Sequence, residues 1–298
     1  MLAVGVLAAG KGTRMKSALP KVLQPLAGST LVERVLGSAS NLKPQRQLLI
    51  VGHQAELVEQ QLADVGGLEF VVQEPQNGTG HAVQQAEMVL SGFKGNVLVL
   101  YGDSPLITSN TMENMLSARS QSNDPAVVVL GFRASDGGEY GRLVQDKTGN
   151  LEAIVEKAEA REDDISNNLC NSGVMVVDGT ILYDLVSKLS NKNIKGEFYL
   201  TDIVQIARQS NRNCCVVEGD EEELIGINSR VDLALAETIT QDLIRKLVME
   251  NGATLIDPSS VYFSYDTKIG EDVTIGPNVF FGRTIVRPKN FLAETFFG

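Results

Sequence analysis

Short apolar runs alternate with segments of helical period over the first part of the chain. Unbroken apolar runs are typical of strands buried on both faces, whereas apolar residues three and four apart are typical of helices that bury one face. Their alternation predicts βαβ units on a mostly parallel sheet. The sequence Thr30-Leu-Val-Glu33 is a capping box, which predicts the start of the first helix. The predicted strands are Ala3–Leu7, Gln47–Val51, Leu68–Val72 and Val97–Leu100, and the predicted helices are Leu31–Ser40, Ala55–Ala63, Ala82–Leu90 and Thr111–Arg119.

Farther along, turn signals stand between the apolar runs. Lys147-Thr-Gly149-Asn separates two of these runs, which predicts a hairpin inserted into the sheet. A long helix is predicted to begin at Ser229 and to end at Asn251-Gly252. The further predicted strands are Ala126–Gly131, Arg142–Gln145, Leu151–Val155 and Gly173–Val177, and the further predicted helices are Tyr199–Arg208 and Asp232–Glu250.

After Gly252 the pattern changes to an apolar residue followed by glycine at every sixth position, in Ile269-Gly270, Ile275-Gly276 and Phe281-Gly282. This period is typical of a hexapeptide β-helix. Three hexads make roughly one coil, and about three repeats are usually needed to bury the apolar face of a solenoid. We therefore expect an incomplete coil. The predicted boundaries are an α/β domain over 1–228, a linker helix over 229–251, an incomplete β-helix over 252–286 and an irregular tail over 287–298.

Composition argues against several classes of function. The chain has 298 residues and a net charge of −11, which argues against a general nucleic-acid surface. It has no apolar run of the roughly 18 to 20 residues that span a bilayer. Its three cysteines are odd in number and lack metal-ligand spacing, so a reduced, cytoplasmic setting is expected. His53 and His81 have no zinc pattern around them and are interpreted as structural.

Positive charge is concentrated beside the first glycines. Residues 1–32 contain four basic side chains and no Asp or Glu, although the chain as a whole is acidic. The basic residues follow the apolar run, whereas a signal peptide has them before it, so the segment is expected to be retained. A P-loop is excluded because Gly12 stands where Ser or Thr is needed, and a dinucleotide fingerprint because Met15 replaces the third glycine. A small anionic ligand at the end of the first strand fits best, with a solvated basic loop as the alternative.

A second candidate group follows the strand that ends at Leu100. Tyr101-Gly102-Asp103 stands there, at the edge of the sheet where open α/β folds bind ligands. A carboxylate opposite a basic, glycine-rich loop is suited to holding Mg²⁺ together with substrate phosphates. Asp103 is also suited to capping a turn, and both interpretations stay open on this residue alone.

An ordered set of motifs runs along the chain: Leu7–Met15 with Pro20-Lys21, then Glu74–Ala82, Tyr101–Asp103, Glu139–Arg142, Ile154–Lys157, Asn171–Gly173, Gly196–Asp202 and Gly226–Asn228. Together these motifs resemble the sugar-1-phosphate nucleotidyltransferases. Within that family they are most similar to the branch that transfers a uridylyl group to N-acetylglucosamine-1-phosphate, whose bacterial members are commonly fused to a β-helical acetyltransferase. The resemblance runs from Met1 to about Val286.

The resemblance implies the fold and a role for each matching residue. The expected fold is α/β: a Rossmann-like nucleotidyltransferase domain with a mixed, mostly parallel sheet, a linker helix and the start of a left-handed hexapeptide β-helix. Taken singly, each candidate residue also has an ordinary interpretation as a turn glycine, a surface acid or a turn amide. The implied catalytic residues are Arg14, Lys21 and Asp103, the nucleotide-binding residues Leu7, Ala8, Ala9, Gly10, Gln73, Gly78, Thr79, Tyr101 and Gly102, the sugar-binding residues Gly141, Glu156, Asn171, Tyr199 and Thr201, and the Mg²⁺ ligands Asp103 and Asn228.

The implied reaction joins UTP and N-acetylglucosamine-1-phosphate into UDP-N-acetylglucosamine, a precursor of peptidoglycan and lipopolysaccharide, and releases pyrophosphate. The sugar phosphate carries close to two negative charges at neutral pH, so its oxygen attacks the α-phosphorus without a general base. Neither nucleic acid nor membrane is expected as a partner. Acetyltransferase activity is expected to be absent and a homo-oligomer is doubted, because the β-helix is incomplete. The alternatives are another sugar-1-phosphate nucleotidyltransferase and a catalytically idle nucleotide-sugar binding or assembly partner.

Overall fold

The computed structural model describes residues 1–121, 123–135, 137–138, 140–160 and 167–283. They form two compact units, one of Met1–Gln24 with Thr30–Ala236 and the other of Pro25–Ser29 with the residues from Glu237 onward. Residues 284–286 of the predicted β-helix and the predicted irregular tail over 287–298 lie outside the described residues.

A mixed nine-stranded sheet forms the centre of the first unit. The described strands of the chain are β1 Leu2–Leu7, β2 Pro25–Leu26, β3 Ser29–Thr30, β4 Arg46–Val51, β5 Leu68–Val72, β6 Asn96–Tyr101, β7 Val127–Arg133, β8 Arg142–Gln145, β9 Leu151–Val155, β10 Leu169–Asp178, β11 Cys214–Glu218, β12 Thr254–Leu255 and β13 Thr274–Ile275. The described α-helices are α1 Leu31–Ser40, α2 Ala55–Gln61, α3 Thr79–Gln85, α4 Ser109–Arg119, α5 Leu182–Val186, α6 Ile203–Gln209 and α7 Arg230–Glu250.

The strands follow the order β11-β7-β10-β6-β1-β4-β5. Strand β10 runs antiparallel to both of its neighbours, β6 and β7, and the other pairings along this path are parallel. The hairpin of β8 and β9 joins the sheet through β10. The Rossmann-like, mixed and mostly parallel sheet is therefore confirmed, and so is the inserted hairpin around Lys147–Asn150.

Both faces of the sheet are covered, which explains the unbroken apolar runs. Successive side chains of a strand point to opposite faces. In β1, Val4 and Val6 belong to one apolar cluster, whereas Ala3 and Leu7 belong to the other. Every residue of this strand is buried. Because no residue of β1 faces solvent, the strand shows no polar alternation in the sequence.

Several predicted elements have different bounds, and some elements were not predicted. The capping box at Thr30 is present, with its hydroxyl accepting from the Glu33 N–H. Helix α3 begins at Thr79 and ends at Gln85, whereas the apolar period predicted Ala82–Leu90, because that period continues through a turn after the helix. The helix predicted over Tyr199–Arg208 is a 3₁₀ turn at Leu200–Asp202 followed by α6. Strand β11, the short helix α5 and the two-residue strands β2, β3, β12 and β13 were not predicted.

The second unit packs the end of α7 against a segment of irregular coil. Its core contains Val248, Leu255, Phe263 and Ile275, and Phe281 stacks on the Phe263 ring with centroids 5.0 Å apart. Strands β12 and β13 pair in parallel, and an isolated parallel bridge joins Tyr262 and Phe280. These pairings join residues 20 and 18 positions apart, and the left-handed hexapeptide β-helix stays a prediction. Among the described helices, none has the length and hydropathy that crossing a membrane requires.

Candidate active site

The order of the strands creates a crevice beside β1. The chain passes from β1 to β4 and β5 on one side, and β6 then lies on the other side of β1. Open α/β sheets bind ligands at such a reversal of strand order, beyond the carboxyl ends of the strands. Leu7 and Tyr101 are paired at these ends, and the Gly102 N–H donates to the Leu7 carbonyl over 2.9 Å. A cavity of about 580 Å³ opens there.

Most of the residues predicted to bind the nucleotide line this cavity. The predicted residues among its lining are Leu7, Ala8, Ala9, Gly10, Lys21, Gln73, Gly78, Thr79, Tyr101 and Asp103. The lining also includes residues without a predicted role, namely Lys11, Val22, Pro75, Gln76, Ala82 and Glu197. All six lie inside or beside the quoted motifs, so their positions in those motifs are the signal that pointed to them.

Lys21 is held close to the first glycine loop. Gly12 has φ = +58°, and a Cβ at this position would lie 2.6 Å from the Cβ of Lys21. Only glycine therefore allows the loop to approach Lys21 this closely. The Lys21 ammonium donates to Oδ2 of Asp103 and, over 3.1 Å, to Oδ1 of Asn228. The Lys21 and Asp103 side chains are only 14% and 18% exposed, so the ion pair is largely shielded from water.

Backbone hydrogen bonds fix the positions of the two residues, Asp103 and Asn228, whose oxygens accept from this ammonium. The Ile227 N–H donates to the Asp103 carbonyl over 2.8 Å, which ties the segment before α7 to the end of β6. The Asp232 carboxylate accepts from the N–H groups of Asn228 and Ser229 at 2.9 and 2.8 Å. Residues far apart in the sequence thus place Asp103 and Asn228 on one cation.

On the opposite wall, Gly78 forms the entry to α3. Its φ of +104° lies in the region that favours glycine, and a Cβ would lie 2.6 Å from the Phe198 carbonyl oxygen. The Gly80 N–H donates to the same carbonyl over 2.8 Å. The Thr79 hydroxyl accepts from the Leu200 N–H over 3.0 Å and is also bonded to Tyr101. Burial raises the pKa of Tyr101, and the nearby Asp103 charge adds to the shift, so the phenol stays protonated.

Gln73 is the buried amide of this wall, with 3% of its surface exposed. Its Nε2 lies 2.9 Å from the Gly78 carbonyl oxygen and 3.2 Å from Nδ1 of His81. No hydrogen-bond partner for its Oε1 is found in the part of the chain that the structure describes. The amide oxygen is therefore the group that Gln73 offers to the cavity.

The residues predicted to bind the sugar form a second group. The Thr201 hydroxyl donates to Oε1 of Glu156 over 3.1 Å, and a Cβ on Gly141 would lie 3.6 Å from the other Glu156 oxygen. The Asn171 N–H donates to the Gly141 carbonyl over 2.9 Å, so Gly141 joins Asn171 to Glu156. Desolvation, followed by the Glu156 charge, raises the pKa of Tyr199. The structure thus brings this predicted set together.

Asp202 adds negative charge to this second group. Desolvation, with smaller contributions from Glu159 and Glu156, raises the pKa of Asp202 to about 6. This carboxyl therefore titrates just below neutral pH, although no role was assigned to it from the sequence.

Two predicted residues have other surroundings. Arg14 is exposed and is not among the residues that line the cavity, whereas Lys21 and Asp103 are. Gly102 is buried at the end of β6, where a Cβ would lie 3.1 Å from the Val22 side chain. Its contribution to the site is close packing of the backbone. The catalytic role of Arg14 and the nucleotide-binding role of Gly102 remain predictions.

A metal ion here would have few protein ligands. The described residues contain no group of three or more His, Cys, Asp or Glu side chains that could hold a metal ion. Asp103 and Asn228 nevertheless direct one oxygen each at the same cation. A divalent ion at this place would take its remaining ligands from substrate and water, as Mg²⁺ commonly does.

A sequence model of the family described as "MobA-like NTP transferase domain" matches residues 4–158, which contain most of β1, all of β6 and most of the cavity lining. The chain belongs to this family. The expected family resemblance is therefore confirmed at the level of the NTP transferase domain.

Longer relatives match nearly all of this NTP transferase chain. The protein named "Bifunctional protein GlmU" from Paramagnetospirillum magneticum is 55% identical over 281 residues, which are 94% of this chain and 62% of the relative. The protein of the same name from Rhodospirillum rubrum is 51% identical over 269 residues, covering 90% of this chain and 59% of the relative. The chain thus spans about three fifths of the length of these curated relatives.

A solved structure shares the fold. The structure titled as UDP-glucose pyrophosphorylase complexed with UDP-glucose superposes with a TM-score of 0.66 and covers 81% of this chain and 98% of its own. The two sequences are 17% identical, so the likeness supports the fold alone.

Proposed function

We propose that this chain transfers a uridylyl group from UTP to N-acetylglucosamine-1-phosphate, giving UDP-N-acetylglucosamine and pyrophosphate. The observation that carries the proposal is the convergence of Lys21, Asp103 and Asn228 at the mouth of the crevice beside β1. Identity of about half to relatives named bifunctional protein GlmU supports it, because the match extends over 94% and 90% of this chain.

Asp103 and Asn228 would hold Mg²⁺. The fit rests on their donor atoms, since a carboxylate oxygen and an amide oxygen already surround one positive charge. A hard divalent cation prefers such oxygen ligands and keeps open positions for phosphate and water. When bound, the ion would supply electrostatic stabilisation of the triphosphate.

Lys21 would neutralise negative charge on the triphosphate. In the ligand-free chain its ammonium is bonded to the two oxygen donors, so it becomes available to phosphate when it leaves them. The phosphate oxygen of the sugar substrate attacks the α-phosphorus in line, and the bond to pyrophosphate breaks. Catalysis is then mainly positioning and charge stabilisation, which agrees with the proposed absence of a general base.

Glu156 and Asn171 would hold the sugar. The Thr201 hydroxyl fixes one Glu156 oxygen, which leaves the other to accept from a sugar hydroxyl. Asn171 is 8% exposed and its Oδ1 accepts from the Gly173 N–H over 2.9 Å, so its amide nitrogen is the group available to a substrate acceptor. Tyr199 and Gly141 would complete this part of the site.

The test is pyrophosphate release from UTP and N-acetylglucosamine-1-phosphate with Mg²⁺. Wild type should release pyrophosphate with this pair and far less with glucose-1-phosphate, glucosamine-1-phosphate or dTTP. Asp103→Ala should abolish release, whereas Asp64→Ala, at an exposed position away from the cavity, should leave it unchanged. Release with another pair would change the substrate, and binding of UTP without any turnover would favour an idle binding protein.

A cytoplasmic location is also proposed. It is supported by the three cysteines, all of which are free, and by the proposed use of UTP. The predicted absence of acetyltransferase activity remains a prediction.

A further inference from the structure

The short segment that carries Asn228 lies between η-type turns of the first unit and α7, and its backbone is bonded residue by residue. The Gly226 backbone is bonded to the Tyr140 hydroxyl. The next N–H, that of Ile227, donates to the Asp103 carbonyl over 2.8 Å, and the Ile227 side chain is buried. These contacts hold the backbone of Asn228 from its amino-terminal side.

Asp232 holds the same backbone from the carboxyl-terminal side. Its Oδ2 accepts from the Asn228 N–H over 2.9 Å and from the Ser229 N–H over 2.8 Å. The Ser229 hydroxyl in turn accepts from the Asp232 N–H over 3.2 Å, which makes a capping box at the start of α7. A capping box needs only the two bonds between Ser229 and Asp232, so the bond to Asn228 is additional to it.

A further bond sets the direction of the Asn228 amide. Its Nδ2 donates to the Gly226 carbonyl over 3.2 Å, and its Oδ1 accepts from the Lys21 ammonium over 3.1 Å. The carbonyl can only accept and the ammonium can only donate, so a reversed amide would lose both bonds. Because the amide is fixed relative to its own segment, the place of Oδ1 depends on where the Asn228 backbone is held.

We propose that Asp232 is a positioning residue, which holds the Asn228 backbone so that Oδ1 can bind one divalent cation together with Asp103. The inference rests on the proposed function for the role of Asn228 as a metal ligand. With only two protein ligands at this place, the displacement of one of them removes a large part of the protein's hold on the ion. Groups that orient metal ligands commonly change metal affinity about 10-fold to 100-fold when they are removed.

Two other roles of Asp232 lead to different results. As a helix cap alone, Asp232 would stabilise α7 and leave metal affinity unchanged, and Ser229 would behave in the same way because it is the other half of the capping box. As a charge alone, Asp232 would attract a cation through space whether or not Asn228 is present. Matched variants therefore separate both roles from positioning.

The experiment titrates the nucleotide-free chain with Mn²⁺ and measures the free ion by electron paramagnetic resonance. We expect Asp232→Ala to lower the affinity about tenfold, which corresponds to 1.4 kcal/mol. Asp232→Asn should stay within about threefold of wild type, because its amide oxygen can still accept from the Asn228 N–H. Ser229→Ala is the matched control, which should lower Tm but leave the Mn²⁺ affinity unchanged.

A double-mutant cycle supplies the second readout. Asn228→Ala should itself lower the Mn²⁺ affinity, and Asp232→Ala should have no further effect in that background, because no Oδ1 is left to position. An equal loss in Asp232→Asn and Asp232→Ala, or a loss that persists without the Asn228 side chain, would overturn the inference in favour of charge. A loss shared by Ser229→Ala would overturn it in favour of capping.

The inference also fails if wild type binds no Mn²⁺ or if Asn228→Ala binds it as well as wild type, because Asn228 would then not be a metal ligand. Failure of turnover is a separate outcome. If wild type releases no pyrophosphate but the Mn²⁺ affinities follow the expected pattern, the proposed function fails and the role of Asp232 stands.

Discussion

Replacement of Lys21 by methionine should strengthen metal binding to the nucleotide-free protein. In the ligand-free site the Lys21 ammonium occupies the position between Asp103 and Asn228, so a divalent cation has to displace it. Methionine keeps much of the side-chain length and apolar volume but has no charge. The two oxygen donors are then left without their internal cation.

The size of the effect follows from the bond that is displaced. Both charged side chains are less than a fifth exposed, so water screens the pair only partly. A hydrogen bond to a charged group contributes about 1.5–3 kcal/mol. At 1.4 kcal/mol for each tenfold change in affinity, Lys21→Met should bind the metal about 10-fold to 100-fold more tightly than wild type.

The assay is a titration of nucleotide-free protein with Mn²⁺, with the free ion measured by electron paramagnetic resonance. Lys11→Met is the matched control, because Lys11 lines the same cavity and carries the same charge. Its replacement should change the affinity only about twofold, through the loss of a nearby positive charge. A Lys21→Met protein that binds Mn²⁺ no better than wild type or Lys11→Met would refute the competition between the ammonium and the metal.

Three further predictions concern the walls of the site. Gly78→Ala should lower the free energy of unfolding, measured in urea, by about 2–3 kcal/mol, because Gly78 has a left-handed φ and a Cβ there would contact the Phe198 carbonyl. Gly66→Ala is the control and should change the free energy of unfolding by less than about 0.5 kcal/mol, because the space around Gly66 is open. Thr201→Val should raise the KM for the sugar phosphate about fivefold and leave that for UTP unchanged, because Glu156 loses one hydrogen bond. Asp202→Asn should raise Tm by about 2–4 °C at pH 7.5 and should not raise it at pH 4. Because the pKa of Asp202 is raised in the folded protein, its charged carboxylate destabilises the fold, increasingly from pH about 4 to about 6 and fully above pH about 6.

Each of these predictions has a contrary result. Equal destabilisation by the two glycine substitutions would remove the conformational explanation for Gly78. A shared rise in both KM values for Thr201→Val would indicate a general loss of structure. A gain in Tm for Asp202→Asn that persists at pH 4 would show that the charge of Asp202 is not its cause.

The sheet could be predicted well where apolar runs coincide with strands. In β1 each face of the strand meets a different apolar cluster, so burial on both faces appears directly in the sequence. Strand β11 was not predicted because Cys214–Val217 is an apolar run of only four residues, and periodicity alone does not distinguish strand from helix in so short a run. The predicted bounds of helix α3 were shifted toward its carboxyl end, because an apolar period alone does not define where a helix begins. Its start at Thr79 is set by the conformation of Gly78 and the contact with Phe198.

The residues that belong to the site could be predicted better than the hydrogen bonds between them. Lys21 was expected to face phosphate, yet it bonds to Asp103 and Asn228, which lie 82 and 207 residues away in the sequence. His81 was interpreted as structural because it has no metal pattern around it, and its contact with Gln73 depends on how α3 leaves Gly78. Such directions are set by tertiary placement, which residue type and spacing do not specify.

The two halves of the cavity differ in how they meet a nucleotide. On the Gln73 side the amide nitrogen is already bonded to the Gly78 carbonyl, so a base that fits this orientation needs little rearrangement and loses little conformational entropy. On the Lys21 side, the ammonium donates to the Asp103 and Asn228 oxygens in the ligand-free chain. When metal and phosphate bind, these oxygens would bind the metal and the ammonium would bind phosphate. The Gln73 side is therefore preorganised, whereas on the Lys21 side the ammonium and the Asp103 carboxylate neutralise each other in the ligand-free chain. Binding of phosphate and metal is therefore the step that requires an existing ion pair to break, whereas binding of the base is not.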